Sequence, residues 1–391
     1  MGRWAMGDGT PTGSYNNMFG DQSGYCLTSG GRNTAVGNGA LYGVTEGLCN
    51  VAVGSQAGYK VSTGSNNILL GYTAGCLIAG GNRNIMIGLS AGKNSADSGD
   101  SIIIGKSAGL TGTAICWNII MGFEAGYAGS FANAKYNTII GMQAGCDVTS
   151  GCYNTILGHC AGSNLTSADD NVIVGRGAGQ EGILTGDDNV FVGKYAGNEA
   201  TSAEYNVAIG EYALGDGVVT GGDNVAIGLK AGYKTCSGLA NVAIGRYAQC
   251  ANTTGQFNVA IGQYAGDHNT TQSYSVHIGS RAGCDRTTGG DNIAIGRQAL
   301  QGTNSGDNTG ESNIAIGYNA GECVTTGDVN IIVGNQAGKQ LTTAVDNVIL
   351  GCYAAKNSIS LCANILMGME TGACLCNGKH NIIMGQYAGR G

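Results

Sequence analysis

The chain has 391 residues, among them 72 glycines and a single proline, and carries a net charge of -7. Glycine at this level without a Gly-X-Y register excludes a collagen triple helix, and β-branched residues recur too regularly for disorder. The negative balance, with no basic stripe, argues against nucleic acid as a partner. No apolar run approaches the roughly 18–20 residues that span a bilayer, so membrane insertion is not expected.

From the amino terminus, residues 1–15 read as a lead-in and residues 16–391 as one continuous repeat domain. The lead-in has no apolar core of the kind a secretion signal needs and does not match the myristoylation pattern. From Asn16 onward a five-residue phrase recurs: Asn33–Gly37 is NTAVG, Asn50–Gly54 is NVAVG and Asn206–Gly210 is NVAIG. There are 22 copies, and 17 of the 21 intervals between their glycines are 17 residues long; the others are 19, 18, 18 and 21. A fixed short period over a whole chain predicts a solenoid in which each turn contacts its neighbours. The expected fold is all-β, a parallel β-solenoid (β-roll) of about 22 rungs. Its 21 steps of about 4.8 Å would make a stack roughly 100 Å long.

Positions are counted here from the motif glycine. Position -3 is Val, Ile or Thr in 21 of 22 copies, and position -1 is always Val, Ile, Leu, Met or Phe. These two share one face of a strand, because side chains alternate with period two, and we expect that face to be the rung interior. Position -2 is also apolar throughout except at His277. Strands apolar on both faces are buried on both faces, which predicts self-association through the -2 stripe. Its subunit-interface members are Ala208, Ala226, Ala243, Ala260, His277, Ala294 and Ala315. At such an interface His277 would have a lowered pKa, and acid would weaken the contact; alternatively it is one histidine hydrogen-bonded to a nearby loop. Asparagine opens 20 motifs, with Ser101 and Ser275 as substitutes. Stacked asparagines can form an amide ladder and can also bond their own turn.

After the glycine, Ala follows at +3 in 20 copies and Gly at +4 in 17, small residues that let the chain turn close beneath its neighbour. Glycine- and threonine-rich loops then close each circuit and absorb the extra residues. The largest insertion, around Leu300–Ser312, should bulge outward without breaking the stack. Two aromatic columns stand out. Trp117, Tyr136 and Tyr153 lie five before their glycines, while Tyr195, Tyr212, Tyr247 and Tyr264 lie two after theirs. Such ladders either bind sugar rings or cover the rung edge.

The phrase NVAIGxxA resembles the head repeat of trimeric autotransporter adhesins and repeats of phage and large-virus fibre proteins, from Asn16 to Gly389. The resemblance implies a left-handed β-roll, three of which pack around a common axis. This chain departs from the adhesins in its longer repeat, in lacking a heptad stalk, membrane-anchor barrel and export signal, and in its 15 cysteines. No column carries cysteine in successive repeats, so no disulfide ladder is expected, and folding in a reducing cytosol is favoured. The expected role is therefore a structural fibre or adhesin shaft of a phage or virus particle, exposed on a virion or extracellular surface. Its loops could bind a host glycan or protein receptor, with Trp117, Tyr136 and Tyr153 as the candidate glycan contact. Alternatives are a filament subunit joining head to tail, since neither end shows a polar cap, and a bacterial surface adhesin.

Chemistry is not legible. His159, His268, His277 and His380 are dispersed, and none has a spacing that suggests a metal or a nucleophile–base pair. Cys374 and Cys376 lack the four spaced ligands of a zinc site. Asp187, Asp188, Asp223 and Asp291 lie in turns without the calcium-binding nonapeptide. No catalytic residue, cofactor or metal site is expected, and the chain does not read as an enzyme.

Overall fold

The computed structural model describes residues 3–7, 11–303 and 308–390. Among them there is no helix, and hence none long and apolar enough to cross a membrane. The chain divides into two compact units, Met1–Ser202 and Ala203–Gly391. The first holds eleven three-residue strands, from β1 (Asn17–Phe19) to β11 (Val190–Val192). The second holds eleven more, from β12 (Val207–Ile209) to β22 (Ile382–Met384). Within each unit every strand pairs in parallel with the equivalent strand one repeat away, each motif residue facing its own counterpart. Thus Val51, Ala52 and Val53 face Ile68, Leu69 and Leu70, and Val242, Ala243 and Ile244 face Val259, Ala260 and Ile261. Each unit is a parallel β-solenoid.

Three features of the repeat build a rung. The motif glycines have φ near 130–145° and stack on one another: a Cβ at Gly37 would lie 2.6 Å from the carbonyl oxygen of Gly54. No side chain fits there, which accounts for the strict glycine. The asparagines form a buried ladder. Oδ1 of Asn50 accepts from the backbone N–H of Asn67 (3.0 Å) and from its Nδ2 (3.0 Å), while Asn67 Nδ2 also donates to the Gly81 carbonyl (2.8 Å). Where Ser101 replaces asparagine its Oγ takes over the acceptor role, receiving the Asn118 N–H at 3.1 Å. Both expected roles of the asparagine, ladder and turn, are therefore present. The third feature is a left-handed backbone at positions -5 and +2, adopted even by bulky residues such as Trp117 (φ 54°), Tyr136 (60°) and Tyr153 (59°). This costs on the order of 1 kcal/mol per residue and is offset by inter-rung bonds, such as Tyr136 N–H to the Trp117 carbonyl at 3.0 Å.

The faces of the strand are the reverse of the sequence expectation. Position -2 is the interior: Ala208, Ala226, Ala243, Ala260, His277, Ala294 and Ala315 are 0–3% exposed within their own chain. They cannot form a subunit interface. The physical reason is the asparagine ladder. Residues -4 and -2 share a face by period two, and the ladder is buried, so -2 is buried with it. The narrow rung admits one strand side chain inward, and positions -3 and -1 point out.

Volume inside the rung is conserved by trade between -2 and +4. A Cβ on Gly92 would strike Met86, one on Gly197 would strike Phe191, and one on Gly389 would meet Ile383. Large residues at +4 occur where -2 is alanine in the same and the following rung. Leu41 goes with Ala35 and Ala52, Leu214 with Ala208 and Ala226, Gln249 with Ala243 and Ala260, and Leu300 with Ala294 and Ala315.

Two further observations concern chain segments, and the second is as expected. The lead-in is a partial rung: Met6 N–H donates to Ser23 O (3.0 Å), Gln22 N–H to Arg3 O (3.0 Å) and Thr12 N–H to Thr28 O (2.7 Å). The long insertion leaves the pairing of Ile293–Ile295 with Ile314–Ile316 intact. Buried Asn308 ties its base, Nδ2 donating to the carbonyls of Asp285 (2.6 Å) and Thr303 (2.7 Å). Residues 304–307 lie outside the described residues.

Candidate interaction surface

The inversion moves the apolar stripe rather than removing it. In each unit the outward -3 and -1 columns run over all eleven strands as Val, Ile, Leu, Met, Phe or Thr, interrupted only by Asn17, without one charged side chain. Their members are partly exposed, from intermediate positions such as Ile104 and Val192 to Val53 at 40%, Ile331 at 40% and Leu157 at 45%. At roughly a third exposure per side chain the two columns of one unit present on the order of 1,000 Å² of apolar surface, more than soluble monomers usually leave open. β-Branched residues suit this face because cross-strand neighbours fix their rotamers, so little side-chain entropy remains to be lost on association.

The aromatic columns border the rungs as stacks. Trp117 and Tyr136 have centroids 5.5 Å apart, Tyr136 and Tyr153 5.0 Å, and Tyr247 and Tyr264 5.3 Å, all with nearly parallel rings. A third stack, Tyr25–Tyr42–Tyr59, extends this at 5.1 and 4.8 Å. Lys135 lies over the Trp117 ring at 5.2 Å. Tyr136 is stacked between Trp117 and Tyr153, and the three residues remain 44–58% exposed.

All fifteen cysteines are free thiols. Burial pushes the thiols of Cys146 and Cys250 up to about 11, with nearby carboxylates adding to the effect. Cys284 is raised further, by burial first and then by Asp285 and Asp267. Such thiols stay protonated at neutral pH.

Cys284 belongs to a cluster that local spacing could not reveal. Asp267 and His268 stand at +5 and +6 of one rung, and Cys284 and Asp285 occupy the same positions one repeat on. One donor atom each from Asp267, His268 and Cys284 lie within 4.8 Å of one another. His268 Nδ1 is 3.0 Å from Asp285 Oδ1 and 4.0 Å from Cys284 Sγ. Burial raises the Asp267 carboxyl, and Asp285 adds to this. The only signal in the sequence was the 17-residue separation itself, which carries two dipeptides onto one flank.

His277 lies on the strand Val276–Ile278, fully buried inside its rung. Its Nδ1 is 3.2 Å from the Asn269 amide, while Nε2 has no hydrogen-bond partner. When Asn269 presents Oδ1 to the ring, its Nδ2 donates to the carbonyls of Gly283 and Arg286, so Nδ1 carries the imidazole proton. Burial first, and the Arg286 cation second, lower the His277 pKa to about 3. The direction is as expected, but the cause is its own chain's core.

No family model matches the chain, and no curated protein is detectably similar to it.

Proposed function

We propose that the chain is a structural fibre or shaft element that self-associates through the outward -3/-1 face. The observation that carries this reading is that face: two uncharged, largely apolar columns in each unit that remain partly exposed among the described residues. Three left-handed copies around an axis is the arrangement implied by the resemblance to adhesin heads and virus fibres, and a phage or virus particle is the setting we favour. The free thiols support folding in a reducing cytosol before exposure on a virion or another extracellular surface. Receptor contact, to a host glycan or protein, would fall to the loops. On this reading the chain has a mechanical role and no catalytic one.

Sedimentation of the purified chain tests the reading. We expect a trimer at micromolar concentration and a monomer for the double variant Val53→Lys, Ile68→Lys, whose outward positions leave the core untouched. A wild-type monomer, or a double variant that still assembles with unchanged affinity, would overturn the proposed interface. Electron microscopy of the same sample separates discrete shafts from long threads joined head to tail.

A further inference from the structure

The cluster on the flank of the second unit joins three different metal-binding chemistries from two successive turns. We propose that Asp267, His268 and Cys284 bind a divalent ion of the zinc class, with Asp285 completing a four-ligand site. Thiolate, imidazole and carboxylate together select a borderline-soft ion over calcium or magnesium, which take oxygen ligands.

The geometry needs only a small contraction. Zinc–nitrogen and zinc–sulfur bonds of about 2.0–2.3 Å place tetrahedral ligands roughly 3.3–3.8 Å apart. Here Cys284 Sγ and His268 Nδ1 are 4.0 Å apart, and Nδ1 and Asp285 Oδ1 are 3.0 Å apart. The His268 side chain is 61% exposed and free to turn, whereas Asp285 is 10% exposed and fixed. Gln301 Nε2 holds the other Asp285 oxygen at 3.4 Å, which leaves Oδ1 facing the site. Among the described residues no other three His, Cys, Asp or Glu donors converge in this way.

Binding is balanced as follows. The ion enters, the Cys284 S–H proton leaves to solvent, and the imidazole proton shifts from Nδ1 to Nε2 so that Nδ1 can coordinate. Two ligands come from each of two adjacent turns, so the ion would staple those turns together. Four protein ligands close the coordination sphere, as in structural rather than catalytic zinc sites.

The test uses the full chain, reduced and metal-free, titrated with Co²⁺ and then with Zn²⁺ as competitor. We expect one equivalent of Co²⁺ with tetrahedral visible bands and a thiolate-to-cobalt band, both displaced by Zn²⁺. Cys284→Ser and His268→Ala should each abolish that equivalent, Cys374→Ser should retain it, and Asp285→Asn should weaken it about tenfold. Far-UV circular dichroism of the metal-free variants should match wild type, since Cys284→Ser and Asp285→Asn keep the side-chain size and the His268 side chain is 61% exposed. A wild-type chain without the thiolate band, or a band that survives in Cys284→Ser, would overturn the site.

Discussion

The rungs of the first unit and those between Thr235 and Asn308 in the second share one backbone plan and fill it with opposite chemistry. In the first unit the interior is mostly apolar, Ser95, Ser98 and Asn198 aside: Leu69, Ile78, Met86, Ile103, Ile120, Phe131, Ile139 and Ile156 are all fully buried. In the second, position +7 carries Thr235, Asn252, Asn269 and Arg286 in successive rungs, and Gln249, Gln272, His277 and Asn308 fill the space beside them. Alanine at -2 makes room for these longer side chains. Apolar packing then resumes from Leu300 through Val324, Ile332 and Leu341 to Leu366. The difference teaches that the asparagine ladder and the stacked glycines specify the rung, while the interior need only match in volume. Polar filling has a cost. Gln249 Oε1, His277 Nε2 and Arg286 Nε lack partners, and a buried polar atom without a hydrogen bond costs about 1–3 kcal/mol. Arg286 donates to the carbonyls of Val324 and Gly310, and burial lowers its pKa to about 10, so it remains charged at neutral pH.

Each of the following measurements would sharpen or break that contrast, using hydrogen exchange of the affected rungs to read local opening free energy. The largest effect should come from Arg286→Ala, which opens a cavity and takes the donor from the Val324 carbonyl, while Gly310 keeps Asn292 Nδ2 at 2.9 Å, and should cost about 3–5 kcal/mol. Arg286→Met fills the same space but also leaves the Val324 carbonyl without its donor, and should cost only about 1–3 kcal/mol. Equal losses in the two variants would show that the hydrogen bonds, and not the filled volume, set the stability.

Acid should separate the two regions next. The folded pKa of His277 lies near 3, below the unfolded value of about 6.5. The unfolded chain therefore binds the proton more readily, and stability that is complete above about pH 6.5 falls by about 1.4 kcal/mol per pH unit on the way down to about 3. Arg286 is the charged group facing the ring, and it stays protonated throughout. The stability difference between wild type and His277→Ala isolates this slope from that of the carboxylates. A difference that does not change with pH would remove His277 from the acid response.

In the apolar region, Ala52→Leu should collide with Leu41 and cost about 1–3 kcal/mol. Adding Leu41→Gly, which recreates the pairing of Leu69 with Gly58, should restore about half of the loss or more. Strict additivity in that cycle would contradict the volume trade between -2 and +4.

The smallest effect concerns what the two regions share. Asn154→Ala orphans the Asn171 backbone N–H, which Asn154 Oδ1 accepts at 3.0 Å, and should cost about 1–3 kcal/mol. Asn154→Ser should cost less than about 1 kcal/mol, because Ser101 and Ser275 already serve in the ladder. Equal losses for the two variants would show that the amide, rather than an acceptor at that position, is what the rung requires.

The sequence by itself determined the period, the parallel one-to-one pairing, the asparagine ladder and the apolar character of both strand faces. These follow from local rules repeated along the chain: a 17-residue return, β-branched strand positions, and a glycine where stacked backbones leave no space for a Cβ. It did not determine which strand face points inward. The bulkier residues at -3 and -1 were the natural interior by hydrophobicity, yet the buried asparagine at -4 commits -2 to the same side, so Ala208 through Ala315 became core and Ile209 or Ile331 became surface. Nor did it reveal the polar filling around Arg286, or the meeting of Asp267 and His268 with Cys284. Those depend on contacts between residues a full turn apart, and only the stacked tertiary structure brings such residues into one another's reach.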